Sequence, residues 1–566
     1  MTRAEAVNPA ARAPVNKVYF MQNSQSSDAI IIGAGFSGLY LLHKLRELGL
    51  SVVVFERGGD VGGTWYWNRY PGARCDIEST WYSYSFSPEL EREWKWSQRY
   101  AKQEEILAYA GHVADRFALR PFIRFNTRVD GAHFDERAQE WVVQTDVGAT
   151  HRAPLLFAAT GPLSDSNVPP LPGLNTFAGE IHHTGAWPHQ AVDFAGKRVG
   201  IVGTGSSGVQ TIPMVARQAA QTFVFQRTPQ FVLPAEHREV SEEESARIRS
   251  DYAQLRTLQR SAPTGFWANP GPHRFFDVSS EERAEELERR WKNGGFAFLQ
   301  AFTDMLTNEK ANVEASAFVK RKICDAVNDP EIAARLTPTF ALGARRPVLG
   351  DRYYETFNQT NVTLVDLKQE PIVGLTTDGL STSQHHFPLD AIVFATGFDA
   401  LTGAILKLNL KGRDGITIQD AWADGPKNTL GFMVHGFPNF FMLAGPGSPA
   451  VRGCVITSTE QQVDWLADCV AHMRRHRLAT IESTAQSDQA WVETVNEAAG
   501  TTLTSTVDSW YLGSNIPGKP KVFMPYSGGF GVYRDICDNV ARGGYERFTF
   551  SKAPAAAPAE QAAPSC

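Results

Sequence analysis

Two glycine-rich turns offer the clearest chemistry in this chain. The first is Gly33-Ala34-Gly35-Phe36-Ser37-Gly38 and the second is Gly203-Thr204-Gly205-Ser206-Ser207-Gly208. A G-x-G-x-x-G turn that opens a helix lets the backbone approach a pyrophosphate, where unpaired N–H groups and the helix dipole favour negative charge. Two such turns imply two dinucleotides, and so a chain built to pass electrons from one to the other. The residue that closes the following strand separates the two ligands. Glu56, eighteen positions after Gly38, is an acceptor for ribose hydroxyls and repels a 2′-phosphate, which favours FAD or NAD. Arg227, followed by Thr228, supplies a cation and a hydroxyl suited to a 2′-phosphate. The first turn is therefore assigned FAD, and the second prefers NADPH to NADH.

The surrounding pattern supplies the elements such turns need. Asp28 to Ile32 is a short apolar run ending at the first glycines, Leu39 to Leu48 reads as an amphipathic helix, and Ser51 to Glu56 as a second strand. The same grammar recurs at Lys197–Gly203, a helix to about Gln218, and Thr222–Arg227. Leu155–Gly161, Asp390–Gly397 and Asn439–Gly445 read as buried strands ending at glycine. Residues 237–340 are charged, with helical periodicity clearest from Glu281 to Trp291 and no β-rich run. They read as a helical insertion with solvated faces such as Ser241–Ser250. Residues 1–27 and the Ala/Pro-rich stretch from about 551 to 566 read as disordered.

Composition narrows the class. The chain has 566 residues, 43% hydrophobic and 20% charged, so two to four domains with substantial cores are expected. A net charge of −6 leaves no basic surplus for nucleic acid or an anionic membrane. The cysteines Cys75, Cys324, Cys454, Cys469, Cys537 and Cys566 are scattered and form no C-x-x-C pair. That speaks against a zinc site, a dithiol redox centre and a secreted disulfide framework, and no apolar run approaches a membrane span, so a cytoplasmic protein is expected.

Two longer strings are more specific than the glycine turns. Phe177-Ala178-Gly179-Glu180-Ile181-His182-His183-Thr184-Gly185-Ala186-Trp187-Pro188 resembles the fingerprint of the type I Baeyer–Villiger monooxygenases. The run from Gly62 to Ser79, with Gly62-Gly63-Thr64-Trp65-Tyr66-Trp67 and Arg74-Cys75-Asp76, is similar to their flavin-side signature. The likeness spans about Asp28 to Phe550 and is closest to the phenylacetone and steroid monooxygenase branch. It implies that NADPH reduces FAD, that the flavin captures O₂ as a C4a-peroxyflavin, and that this peroxide attacks a ketone to give an ester or lactone. By motif position the resemblance assigns the active-site cation to Arg346, in Gly343-Ala344-Arg345-Arg346-Pro347, its acidic partner to Asp76, and a 2′-phosphate contact to Arg345. A fixed cation stabilises the anionic peroxide and adduct in a site closed to bulk water.

The same resemblance matches Ser37, Thr64, Trp65, Trp67, Cys75, Asp76, Tyr82, Val129 and Val455 to the flavin side. Arg74, Thr204, Ser206, Ser207, Gln210 and Thr228 match NADP contacts, and Trp510 matches a tryptophan on a mobile loop that closes over NADP. The fingerprint is expected in a linker between nucleotide domains, so that His183 and Trp187 couple domain motion and carry no protons. One region departs from the family: after Pro449 stand Ala450-Val451-Arg452-Gly453-Cys454, with Cys454 where an asparagine is expected and Arg452 in a loop that lines the substrate cavity in relatives. Arg452 is expected to point to solvent.

The expected architecture is α/β, with two Rossmann-type domains. An FAD domain is divided between residues 1–160 and 391–550, and an NADP domain, 161–390, carries a helical insertion at about 232–340. Ketone and O₂ are the expected partners, and a monomer is favoured. A heteroatom (N- or S-) oxygenating flavoenzyme is the alternative within enzymes, disfavoured by Trp187 and by the paired Asp76 and Arg346. A disulfide reductase lacks its dithiol. A redox-silent nucleotide sensor would have no need to keep Asp76, Arg346 and Trp510 together.

Overall fold

The computed structural model describes residues 25–552. Both glycine turns fold as their close contacts require. Gly33 has φ +104°, and a Cβ there would lie 2.6 Å from the Ala159 carbonyl oxygen; a Cβ on Gly38 would lie 1.9 Å from the carbonyl oxygen of Gly33. The second turn repeats this. Gly203 has φ +108° and faces Ala395 O at 2.5 Å, and Gly208 faces Gly203 O at 2.2 Å. Only glycine permits this packing of strand, turn and helix.

Each turn leaves the middle strand of a five-stranded parallel sheet. The first sheet runs Phe440–Met442, Leu155–Ala158, Ala29–Ile32, Val52–Phe55, Ile123–Arg124. The second runs Val362–Asp366, Gln221–Gln226, Arg198–Val202, Ala391–Phe394, Glu180–His183. Strand residues alternate between two cores: Ile31 and Val54 feed one and Ile30 and Val53 another, while Val199 and Ile201 face away from Val202 and Phe225. Burial on both faces explains why the strands read as unbroken apolar runs. A third sheet, Gln25–Ser26, Thr150–Ala153, Glu140–Thr145, Val129–Asp135 and Leu410–Lys411, flanks the first.

Several expectations shift. Ala391–Phe394 hydrogen-bonds to both Arg198–Val202 and Glu180–His183, so the second sheet extends past the expected boundary at 390. Glu180–His183 of the fingerprint is likewise an edge strand of that sheet, and only the stretch after it bridges to the flavin side, through Trp187 N–H donating to Trp67 O at 3.2 Å. The helix Phe36–Glu47 is buried along nearly all of its first half and not amphipathic there, because the helix Val455–His476 covers its outer face. Gln25–Ser26 pairs with His151–Arg152, and Ser551 and Lys552 pair with Thr480 and Leu478, so both segments expected to be disordered are ordered at their inner ends. The rest of those segments, 1–24 and 553–566, lies outside the described residues.

The insertion is closed at its neck by the parallel pair Val232–Leu233 with Val348–Leu349. Between them run the helices Glu242–Ser261, Ser280–Asn293, Glu309–Ala326 and Pro330–Leu336, with no strand among the described residues. A Ser279/Glu282 capping box starts the second of these helices. The insertion branches from the second sheet yet packs into both cores: Phe275, Phe298 and Phe318 join the flavin-side core, whereas Ile323, Val327 and Leu336 join the other. Arg256 is buried against Glu91, Ser83 Oγ and the carbonyls of Thr80 and Tyr84, so the first insertion helix is solvated only along its outer face. Among the described residues no helix is long and apolar enough to cross a membrane.

The glycine contacts generate a test. Gly38→Ala and Gly208→Ala place a methyl group against a backbone carbonyl and are expected to cost about 1–3 kcal/mol or more, whereas Gly205, with nothing within 4 Å of its would-be Cβ, should accept alanine with little change in Tm. Thermal unfolding of the three variants checks this; equal Tm values would show that the turns relax freely.

Candidate active site

Arg346 lies two residues before the neck strand Val348–Leu349, and Asp76 lies in the irregular stretch after the short helix Thr64–Trp67. The fold brings them together over 270 residues of sequence. Arg346 Nε donates to Asp76 Oδ2 at 2.7 Å and Nη2 donates to Oδ1 at 3.0 Å, a bidentate pair that fixes the plane of the guanidinium. The Phe296 ring lies 4.8 Å from the guanidinium carbon, and Nη1 reaches Val451 O at 3.5 Å. Burial alone would lower the arginine's pKa, but the charge and hydrogen bonds of Asp76 outweigh it, so the pKa is raised and the cation is permanent. Asp76 and Phe296 also line a cavity of ≈ 390 Å³ between the flavin-side signature and the insertion, with Ile77, Trp81, Phe266 and Trp267 among its walls. A bidentate guanidinium with aromatic backing, whose carboxylate partner lines this cavity, can stabilise negative charge on an oxygen.

The flavin-side residues converge on the first turn. Glu56 is buried, accepts from Ala34 N–H at 2.8 Å and Gly58 N–H at 2.7 Å, and so sits across the mouth of the turn; burial pushes its carboxyl upward, opposed by those two bonds. Gly35 approaches Gly63 of the signature, with only 3.4 Å left for a Cβ. Ser37 Oγ meets Thr459 Oγ1 at 3.2 Å, which joins the first-turn helix to the helix that begins at Val455. Trp65 Nε1 donates to Tyr82 OH at 3.0 Å, Arg57 lies over the Trp67 ring, and Val129 starts a strand in the core beneath Phe55. Cys75 is buried, with its thiol pKa pushed well up by desolvation.

The second turn gathers a different set. Ser207 Oγ meets Thr184 Oγ1 at 2.9 Å and Thr204 Oγ1 donates to Thr228 O at 3.1 Å, while Ser206 opens the helix Ser206–Ala216. Gln210 ties the two halves together: Nε2 donates to Arg74 O at 3.1 Å and Oε1 accepts from Tyr70 OH at 2.9 Å. Arg74 itself is held by Gln98 Oε1 and Tyr100 O. Arg345 is pushed down in pKa first by burial and then by the charge of Arg227, and its Nε is buried with no hydrogen-bond partner. Two neighbouring guanidiniums with an unsatisfied donor suit a phosphate, and the glycine cradles suit two pyrophosphates, so the residues present fit FAD and a 2′-phosphorylated nicotinamide dinucleotide.

Trp510 packs against Tyr511 with ring centroids 4.3 Å apart and planes tilted by 50°, in a loop pinned to the second half by three links. Arg345 donates to Asp508 O, Asn515 Nδ2 donates to Phe398 O at 2.8 Å, and Lys519 pairs with Asp399. His183 Nδ1 accepts from Gly185 N–H at 2.9 Å and Nε2 meets Thr396 Oγ1 at 3.3 Å; burial lowers its pKa, and it makes no contact with Asp76 or Arg346. Cys454 turns its buried thiol to Trp81 O at 3.3 Å, and burial raises its pKa. Arg452 is half-buried with its guanidinium over Tyr511, and none of its nitrogens is buried. Phe296, Tyr511 and Tyr70 were missed from the sequence; Tyr70 and Tyr511 adjoin motif residues, but Phe296 reaches Arg346 from inside the insertion, where no local pattern marks it.

Comparison with known proteins agrees with this arrangement. Residues 27–240 match the family model for flavin-binding monooxygenase-like proteins. A Baeyer–Villiger monooxygenase of Pseudooceanicola batsensis is 44% identical, covering 92% of this chain and 95% of that protein. A phenazine N-monooxygenase of Lysobacter antibioticus is 41% identical, over 93% and 97% respectively. The structure of an oxidized steroid monooxygenase bound to NADP superimposes with a TM-score of 0.89 at 49% identity, covering 94% of this chain and all of the other.

Removing one partner of the ion pair tests its physics. Asp76→Ala leaves a mostly buried cation unpaired and should destabilise the fold by about 1–3 kcal/mol after allowance for partial exposure, whereas Asp76→Ala with Arg346→Met should recover much of that loss. Denaturant unfolding of single and double variants measures the difference; strictly additive losses would show that the pair is uncoupled.

Proposed function

This chain belongs to the FAD- and NADPH-dependent Baeyer–Villiger monooxygenases, and we propose that Arg346, held by Asp76, is the group at which it inserts one oxygen atom of O₂ beside a ketone carbonyl to give an ester or lactone. The observation that carries this assignment is the bidentate pair at 2.7 and 3.0 Å, whose carboxylate lines an open cavity with Trp81, Phe266, Trp267 and Phe296 among its walls. When bound, reduced FAD supplies the activated oxygen and NADPH supplies the electrons. The chain supplies the rest. Arg346 faces the negative charge that develops on the oxygen donor and on the attacked carbonyl oxygen, and Asp76 keeps the guanidinium from rotating away from it. Phe296 covers the guanidinium and excludes water, which strengthens the same interaction.

We assign FAD to the first cradle, Gly33, Gly35, Phe36, Ser37 and Gly38, with Glu56 at the ribose and Thr64, Trp65, Trp67, Tyr82, Val129 and Val455 around the rest. NADPH goes to Gly203–Gly208 with Arg74, Gln210 and Thr228, its 2′-phosphate received by Arg227 and Arg345 and its far end covered by the Trp510 loop. All these groups come from one chain, which supports action as a monomer, and the five free cysteines among the described residues support a reducing, cytoplasmic setting. The N-monooxygenase among the relatives favours one second reading, oxygenation of a ring nitrogen by the same oxygen donor.

Arg346→Ala is expected to leave reduction of the flavin by NADPH intact while ester formation falls at least ~100-fold; rapid-kinetic reduction and product analysis on one preparation separate the two, and full ester yield would remove Arg346 from this role. Arg227→Ala should raise the KM for NADPH about tenfold or more, as expected for loss of a charge-assisted phosphate contact, and narrow the preference over NADH. Steady-state kinetics with both coenzymes decides; an unchanged preference would leave the 2′-phosphate to Arg345 alone.

A further inference from the structure

Asp76 fixes the plane of Arg346, and the chain just before it holds Asp76 in turn. Tyr70 to Arg74, the part of the flavin-side signature that leads into Asp76, lies on the helix Ser206–Ala216 of the second half. A turn in which Ala73 N–H donates to Tyr70 O at 3.0 Å brings the backbone close. Its Gly72 has φ +85°, and a Cβ there would lie 2.5 Å from Gln210 O and 3.0 Å from Met214 Cγ, so the turn rests directly on the helix. The Tyr70 ring packs on the second-half core.

Gln210 spends both ends of one amide on this segment. Oε1 accepts from Tyr70 OH at 2.9 Å, and Nε2 donates to Arg74 O at 3.1 Å, two residues short of Asp76. A carbonyl can only accept and the phenol donates, so the two contacts together set which way the amide faces. Arg74 Nη1 is held as well by Gln98 Oε1 at 2.6 Å and Tyr100 O at 2.7 Å, and Cys75 N–H donates to Ala101 O at 3.1 Å. Of these anchors Gln210 alone belongs to the second half, on the helix that leaves the second glycine turn. Burial first, and the charge of Asp76 second, raise the pKa of the Tyr70 phenol, so it stays a donor.

We propose, resting on the ketone-oxygenating reading above, that Tyr70 is a positioning residue for oxygen transfer: through Gln210 it ties Asp76, and with it the plane of Arg346, to the helix of the second cradle. A shift of that helix displaces Arg74 O, and Asp76 follows on a tether of two residues. Tyr70 takes part in no bond-making step. It sets where the cation faces, so its loss is felt in the yield of ester and not in the delivery of electrons.

The experiment uses the full-length holoenzyme with phenylacetone and with cyclohexanone, in wild type, Y70F, Q210M and the double variant. NADPH consumed, ester or lactone formed and hydrogen peroxide released are measured together. Y70F keeps the ring and removes one neutral hydrogen bond, so ester formed per NADPH should fall about 2–10-fold, with peroxide making up the difference. That ratio is blind to any loss of folded enzyme, because unfolded molecules consume no NADPH. In the Q210M background Y70F should lower it no further, since the acceptor is already gone, and denaturant unfolding of the four proteins should show the same non-additivity without turnover. A Y70F ratio equal to that of wild type, or a full further loss in the Q210M background, overturns the proposal while ester from wild type leaves the ketone-oxygenating reading standing. NADPH oxidation by wild type with no ester from either ketone overturns both.

Discussion

A single carboxylate holds this site in place. Asp76 presents both oxygens to Arg346, and the guanidinium so fixed is where the two halves of the molecule and the insertion meet. The carboxylate comes from the flavin-side signature, the guanidinium from the foot of the insertion, the ring that backs it from within the insertion, and the carbonyl at its edge from the last third of the chain. A buried or half-buried ion pair is rarely a large source of stability, because desolvation offsets attraction. Its value here is geometric: a permanent positive charge whose plane is held by both oxygens of one carboxylate.

The two nucleotide sheets are built to the same plan. In each, the glycine turn leaves the central strand and packs beneath the end of a neighbour that closes on Ala-Thr-Gly, at Ala159-Thr160-Gly161 and at Ala395-Thr396-Gly397. Gln210, Tyr70 and Arg74 hydrogen-bond across the gap between the turns, and Trp187 ties the fingerprint to Trp67. These polar links are joined by apolar ones, since Tyr70 packs on the second-half core and Gly72 lies against Met214.

Much of this was legible in the residues. The glycine turns, their strands and the choice of Glu56 against Arg227 follow from chemistry that is local, spanning some tens of residues and a fixed geometry. The long motifs located Asp76 and Arg346 by resemblance. What could not be read was anything decided by distant packing. The helix Phe36–Glu47 loses its expected solvent face because a helix more than 400 residues later lies on it. Ala391–Phe394 joins the second sheet, not the first, because pairing is chosen by partner strands and not by the strand's own sequence. Phe296 carries no motif, and nothing near Arg452 in the sequence marks Tyr511 as the ring its guanidinium lies over.

The strand Phe440–Met442 completes the first sheet by pairing with Leu155–Ala158. During synthesis the ribosome delivers it roughly 280 residues after its partner, a delay on the order of 15–60 s at ordinary elongation rates. For that interval the nascent first sheet has an open hydrophobic edge, and the helix Phe36–Glu47 lacks the cover of Val455–His476. The second nucleotide sheet, whose strands all lie between Glu180 and Phe394, is complete first. The first sheet is thus begun before the second and closed after it, so its last strand must find an edge left open while the whole second sheet is made.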